Sequence, residues 1–170
     1  MNRFYALAAA TTACTAFFAG GNALAADALP TESHRILTSD LAVEAAQAAI
    51  ASCKAQGYHV SVTIADRSGA AIVVITGDGA RALTREVTRR KAYTAALWGV
   101  STADLGKRIA TPGAFNPAIY DPQLAPAPGG LPIKVGDDTI GGISAAGAPG
   151  GDKDEACAEA GIAKISDRLK

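Results

Sequence analysis

The sequence predicts one mixed α/β domain in which antiparallel hairpins form a sheet and helices cover it. Three observations carry this. Residues 129–147, GGLPIKVGDDTIGGISAAG, place two apolar runs around a Gly-Asp-Asp turn, the pattern of a hairpin. Residues 59–66 and 70–76 form a second pair of strand-like runs around Asp66-Arg67-Ser68-Gly69, which is turn chemistry. Long alanine-rich segments with helical spacing flank both pairs. At 170 residues, 49% of them hydrophobic, the chain is long enough for one packed core. Only 5% are aromatic, so that core is built from Ala, Val, Ile and Leu.

In order, residues 1–25 read as a cleaved signal peptide. Arg3 is the basic start, residues 4–18 the apolar stretch, and Ala23-Leu24-Ala25 the small-x-small cleavage site. Acylation at Cys14 is the lesser alternative, because Thr11-Thr12-Ala13 is a poor lead-in. The apolar run is too short for a membrane span, and none is expected in the mature chain. A periplasmic or secreted protein follows. Loss of Arg3 leaves 15 basic and 16 acidic groups, 15 − 16 = −1, so no large basic surface points to nucleic acid.

Residues 26–37 read as a flexible lead, and the domain as residues 38–170. Thr38 or Ser39 caps a first helix whose face is Val43, Ala46, Ile50 and Cys53, ending near Gly57. Strand 59–66 alternates, with Val60, Val62 and Ile64 on one face and Ser61 and Thr63 on the other. Strand 70–76 is uniformly apolar and is expected to be covered on both faces. Helix 84–98 carries Leu83, Val87, Lys91, Thr94 and Trp98 near one stripe. Ser101-x-x-Asp104 opens a short helix to about Ile109. Residues 111–128 hold five prolines and no long helix, an irregular segment of a length that is often functional. Asp152 to Lys170 reads as the last helix, acidic first and basic last. Gly141, Gly142 and Gly147 mark either a helix crossing the sheet or a flat ligand lying close to it. Cys53 and Cys157 sit on the first and last helices. In an oxidising compartment they form a disulfide, and otherwise they are two buried thiols.

Six segments together resemble one family. They are Val62-Thr63-Ile64-Ala65-Asp66-x-x-Gly69, Gly77-Asp78-Gly79-Ala80, Lys91-Ala92-x-Thr94-Ala95, Gly129-Gly130-x-Pro132-Ile133, Ile140-Gly141-Gly142-Ile143-x-x-x-Gly147 and Asp154-Glu155-x-x-x-x-x-Gly161. Over residues 36–168 the chain is similar to the GlcG/HbpS family of haem-binding proteins, also called the haem-degrading domain family. The resemblance implies a profilin-like antiparallel sheet with helices on both faces, assembly as a homo-oligomer, and haem as cofactor in iron handling or redox sensing. Thr76-Gly77 stand where the family carries Arg-Met, and Arg81 is the nearby replacement for that arginine.

For haem, the resemblance implies a threonine at the iron, for which Thr94, Thr102 and Thr111 are the candidates. His59 and His34 are the histidines of the mature chain, and Tyr93 and Tyr120 are further oxygen donors. The expected site lies beside the second long helix, near Lys91 and Thr94 and under the proline segment, with Arg90, Lys91 and Arg108 facing the propionates. The alternative is an enzyme or binder for a small anionic metabolite, with Lys91 buried among arginines. Asp66, Asp78 and Asp138 are its candidate bases, each with a turn role as the simpler account. A third reading is a structural or sensing oligomer module. There is no nucleophile–base pair, phosphate loop or metal-ligand spacing.

Overall fold

A computed structural model describes residues 34–170, so residues 1–25, expected as a signal peptide, and most of the expected lead lie outside the described residues. The elements are helix α1 (Ser39–Ala55), strands β1 (Ser61–Asp66) and β2 (Ala71–Thr76), helices α2 (Leu83–Trp98) and α3 (Thr102–Ile109), strands β3 (Gly130–Val135) and β4 (Asp138–Ala146), and helix α4 (Gly151–Ile165). The sheet is antiparallel throughout, in the order β2-β1-β4-β3. β4 runs through its middle, and Ile140 to Ala146 are all buried. The β3–β4 turn is Gly136-Asp137, with Gly136 at φ +60. A positive φ at the first central residue followed by a negative one is the pattern of a II′ hairpin turn.

α1 and α4 pack on one face of the sheet, over Val62, Ile64, Ile133 and Ile143. Each such isoleucine contributes about 1.5–3 kcal/mol by leaving water. The Thr38 hydroxyl caps α1 by accepting from Leu41 N. The buried face of α1 is Ala42, Ala45, Ala46, Ala49 and Cys53, whereas the expected Val43 is largely exposed. The reason is closeness: a Cβ on Gly161 of α4 would meet the Ala45 carbonyl, so the two backbones nearly touch and only small side chains fit between them. A disulfide joins Cys53 of α1 to Cys157 of α4, with a Cα–Cα distance of 5.5 Å.

α2 covers the other face. Its buried residues are Thr84, Thr88, Lys91, Ala92, Thr94, Ala95 and Ala96, while Leu83 and Trp98 of the expected stripe are exposed. Its partner surface explains the turn of the helix. β1 presents Ser61 and Thr63 there, and hydroxyls rather than leucines meet them. Gly142 lets the backbone of α2 in: a Cβ at that position would collide with the Ala92 carbonyl and the Ala96 nitrogen. Of the two readings for these glycines, helix crossing is what Gly142 does.

Three further expectations change. β2 is an edge strand, with Val74 45% exposed, rather than a strand covered on both faces. Its apolar run reflects the β-branched side chains that suit any strand. Leu37 is buried in the core and not part of a solvated lead. The last helix ends at Ile165 and continues only as a 3₁₀ turn, Ser166–Arg168. Residues 111–128 are irregular apart from a 3₁₀ turn, Pro117–Ile119, and Ser101 caps α3 by accepting from Asp104 N.

Candidate functional site

The structure brings Arg90, Lys91, Thr94 and Thr102 together, but binds them to the proline segment. Prolines lack N–H groups, so the segment presents carbonyls that no secondary structure pairs. Arg90 donates to the carbonyls of Pro122, Gln123 and Leu124. Lys91 Nζ donates to the Pro128 carbonyl at 2.6 Å. Thr94 Oγ1 donates to the Arg90 carbonyl at 2.7 Å and accepts from Ala125 N at 2.8 Å. Thr102 Oγ1 donates to the Ala127 carbonyl at 2.5 Å and accepts from Gly130 N at 3.0 Å. Tyr93 adds a hydrogen bond to Asp121 at 2.7 Å. The segment therefore lies directly on α2 and α3, and the slot expected beneath it is closed.

The other candidates are scattered. Thr111 is exposed and donates to the Lys107 carbonyl at 3.4 Å, and Arg108 is exposed on α3. His59 Nδ1 lies 2.6 Å from the Asp78 carbonyl, so its ring holds the turn after β2. Tyr120 is exposed and stacks on Phe115, ring centroids 5.7 Å apart. Asp66 accepts from Ser68 and Ala70, closing its own turn. Asp138 pairs with Arg67 at 2.6 Å, and Asp78 with Lys54 at 3.6 Å. Among the described residues, no group of three or more His, Cys, Asp or Glu is placed to hold a metal ion. No described helix is long and apolar enough to cross a membrane.

Two hollows bear on these candidates. The larger, about 510 Å³, lies between the segment before α1, the β1–β2 turn and the sheet. Leu37, Ile72 and Ile140 give it apolar walls, and His34, Arg35 and Arg67 bring imidazole and guanidinium groups to it. The smaller, about 270 Å³, lies between α2, the end of β4 and α4, with Arg81, Val87, Lys91, Gly147 and Asp154 around it. Lys91 is 7% exposed and Asp154 5%. Burial pushes the Lys91 ammonium below its ordinary pKa, and the charges of Asp154 and Glu155 pull it partly back. Burial pushes the Asp154 carboxyl up, against a hydrogen bond from Ala148 N and the charge of Lys91. Gly129, at φ +117, lies between them: a Cβ there would meet both Lys91 Nζ and the Asp154 side chain.

The sequence reading missed the larger hollow, because residues 34–37 were assigned to a mobile lead. Leu37, an apolar residue just before the Thr38 cap, was the available signal. It also gave Asp154 only a dipole role, although Asp154 stood in one of the six quoted segments.

A four-stranded antiparallel sheet with helices on both faces defines a small mixed α/β domain. A family model described as haem degrading protein HbpS-like matches residues 37–163, and the chain belongs to that family. It is similar to a double mutant of HbpS from Streptomyces reticuli, at 36% identity and TM-score 0.72, over 92% of this chain and 97% of that one. A second HbpS structure is 38% identical with TM-score 0.73, over 82% of this chain and 97% of that one. A PduOC–haem complex shares the fold at 23% identity and TM-score 0.70, over 77% and 96% of the two chains. No curated protein matches the chain.

Proposed function

We propose that this protein binds haem, in the hollow of about 510 Å³ beside Leu37, Ile72 and Ile140. That hollow is the observation that carries the reading. It has the size of an organic-cofactor site, whereas the hollow of about 270 Å³ falls below that range and the one of about 400 Å³ beside His59 and Arg81 lacks leucine and isoleucine walls. Haem needs apolar walls, an axial donor and cations for its propionates. Here Leu37, Ile72 and Ile140 supply the walls, His34 the imidazole, and Arg35 and Arg67 the guanidinium groups. The family's description as haem degrading supports the same ligand. When bound, the haem iron supplies the redox and oxygen chemistry, and the chain's own part is to hold, orient and shield it.

Export is part of the proposal. Residues 1–25 read as a cleaved leader, and the Cys53–Cys157 disulfide suits an oxidising compartment. Assembly of copies into a homo-oligomer is also proposed, with light scattering as its check. The haem reading is tested by titrating haem into the mature protein, residues 26–170, and into His34→Ala. The expected result is a saturable Soret shift that changes position and weakens in the variant. An unshifted Soret band at micromolar haem overturns the reading. Saturable binding that His34→Ala leaves unchanged removes His34 as axial donor.

A further inference from the structure

The hollow of about 270 Å³ shares no lining residue with the one proposed for haem, and it contains Lys91, the most deeply buried cation among the described residues. We propose that it is a second, separate binding site for a small organic carboxylate, held between the Lys91 ammonium at its floor and the Arg81 guanidinium at its exposed edge.

The argument starts from Lys91. Its ammonium has three donors, and the one hydrogen bond recorded for it goes to the Pro128 carbonyl. Among the described residues it joins no ion pair within 4.0 Å. A charge withdrawn from water without a close counter-ion is costly, so the site is left favourable to an incoming anion. Asp154 and Glu155 act on it only through space, from beyond 4.0 Å, and Asp154 Oδ1 accepts from Ala148 N at 2.9 Å. Glu155 is directed to Gly129 N at 3.3 Å and does not line this hollow. Counting Arg81, Lys91 and Asp154, the hollow carries 2 − 1 = +1.

The remaining wall narrows the ligand. Leu83, Val87 and Ala146 offer apolar surface, so a short hydrocarbon part is accommodated beside the charged end. Guanidinium matches the two oxygens of a carboxylate in its plane. The volume suits a molecule well below drug size. No phosphate-cradling glycine loop is present in the sequence, which favours carboxylate over phosphate.

The test uses the haem-free mature protein, so its outcome does not depend on the haem reading. Thermal unfolding and calorimetry are run with acetate, lactate and succinate, with lactamide and succinamide as uncharged controls and inorganic phosphate as the competing anion. The expected result is saturable stabilisation by at least one carboxylate and none by the amides, since only binding to the folded state raises the melting temperature. Arg81→Gln, an exposed change that keeps the melting temperature of the free protein, is expected to weaken binding about tenfold, the scale of one charge-assisted hydrogen bond. Lys91→Gln is expected to abolish it. Absence of stabilisation by every carboxylate overturns the proposal. So does binding that Arg81→Gln leaves unchanged, or phosphate binding tighter than any carboxylate.

Discussion

Thr63 Oγ1 on β1 lies 2.8 Å from Thr88 Oγ1 on α2, and both residues are fully buried. Ser61 and Thr84 repeat the contact at 2.7 Å one turn earlier. α2 is therefore docked on the sheet partly by paired hydroxyls, where an apolar seam is the commoner solution. Thr88 also donates to the Arg85 carbonyl at 2.9 Å, and its hydroxyl cannot donate to both partners at once. Thr88→Val leaves the buried Thr63 hydroxyl without its partner and is expected to cost about 1–3 kcal/mol in urea unfolding, more than Thr63→Val, after which Thr88 still donates to Arg85. Because removing both partners avoids the orphaned group, the Thr63→Val/Thr88→Val double variant is expected to lose less than the sum of the singles. Additive losses would show that the two hydroxyls do not act as a pair.

Thr94 is the fastening of the proline segment to α2. Thr94→Val keeps the shape but orphans Ala125 N, which it accepts at 2.8 Å. The expected loss is about 1–3 kcal/mol, together with faster proteolysis confined to residues 111–128. If the cleavage rate there is unchanged, the bonds from Arg90, Lys91, Tyr93 and Thr102 secure the segment without Thr94.

At Gly142 the backbone of α2 leaves no room for a methyl group. Gly142→Ala is expected to push the Ala92–Ala96 stretch off the sheet at a cost of about 1–3 kcal/mol, as overpacking does. The matched change at Gly113, where nothing lies within 4 Å but φ is +80, tests conformational strain alone. A larger loss at Gly113 than at Gly142 would contradict the close-packing account.

The Asp154 carboxyl has its pKa raised in the folded protein, first by burial. The folded state thus binds this proton more tightly than the unfolded chain does. The stabilisation it gives is fully present below the unfolded pKa of about 3.9 and is lost as pH rises through the folded value. Asp154→Asn keeps an oxygen acceptor for Ala148 N and does not titrate. Its stability relative to the parent is therefore expected to improve as pH rises from 3 to 7. Urea midpoints measured across that range check the sign, and a difference that stays flat or shrinks would refute it.

What was legible in the sequence was what is local. The order of the elements, a turn at Gly136 to Asp138, a cap at Thr38 or Ser39, the Ser101 cap and the irregular proline segment all depend on neighbouring residues, and the structure has each, with Thr38 as the cap and Gly136-Asp137 at the centre of the turn. The helix faces were harder to read. Valine and leucine were taken to mark the buried stripes, but α1 and α2 bury Ala and Thr, because α1 packs close to α4 and β1 offers hydroxyls to α2. The candidate site mixed two things that composition does not separate. Arg90 and Thr102 hold loop carbonyls and Thr94 a loop N–H, which from the sequence looks the same as waiting for a ligand. Lys91 was singled out correctly as buried, but its proximity to Asp154 across Gly129 depends on residues far apart in the chain.

The bridge from Cys53 to Cys157 spans 104 residues and so makes the whole sheet part of one covalent ring. The proline segment lies inside that ring. A protease that nicks it opens the ring without releasing a fragment, and the two pieces run as one band until a reductant separates them. This irregular, largely exposed stretch can therefore be cut while every strand remains tethered to its neighbours.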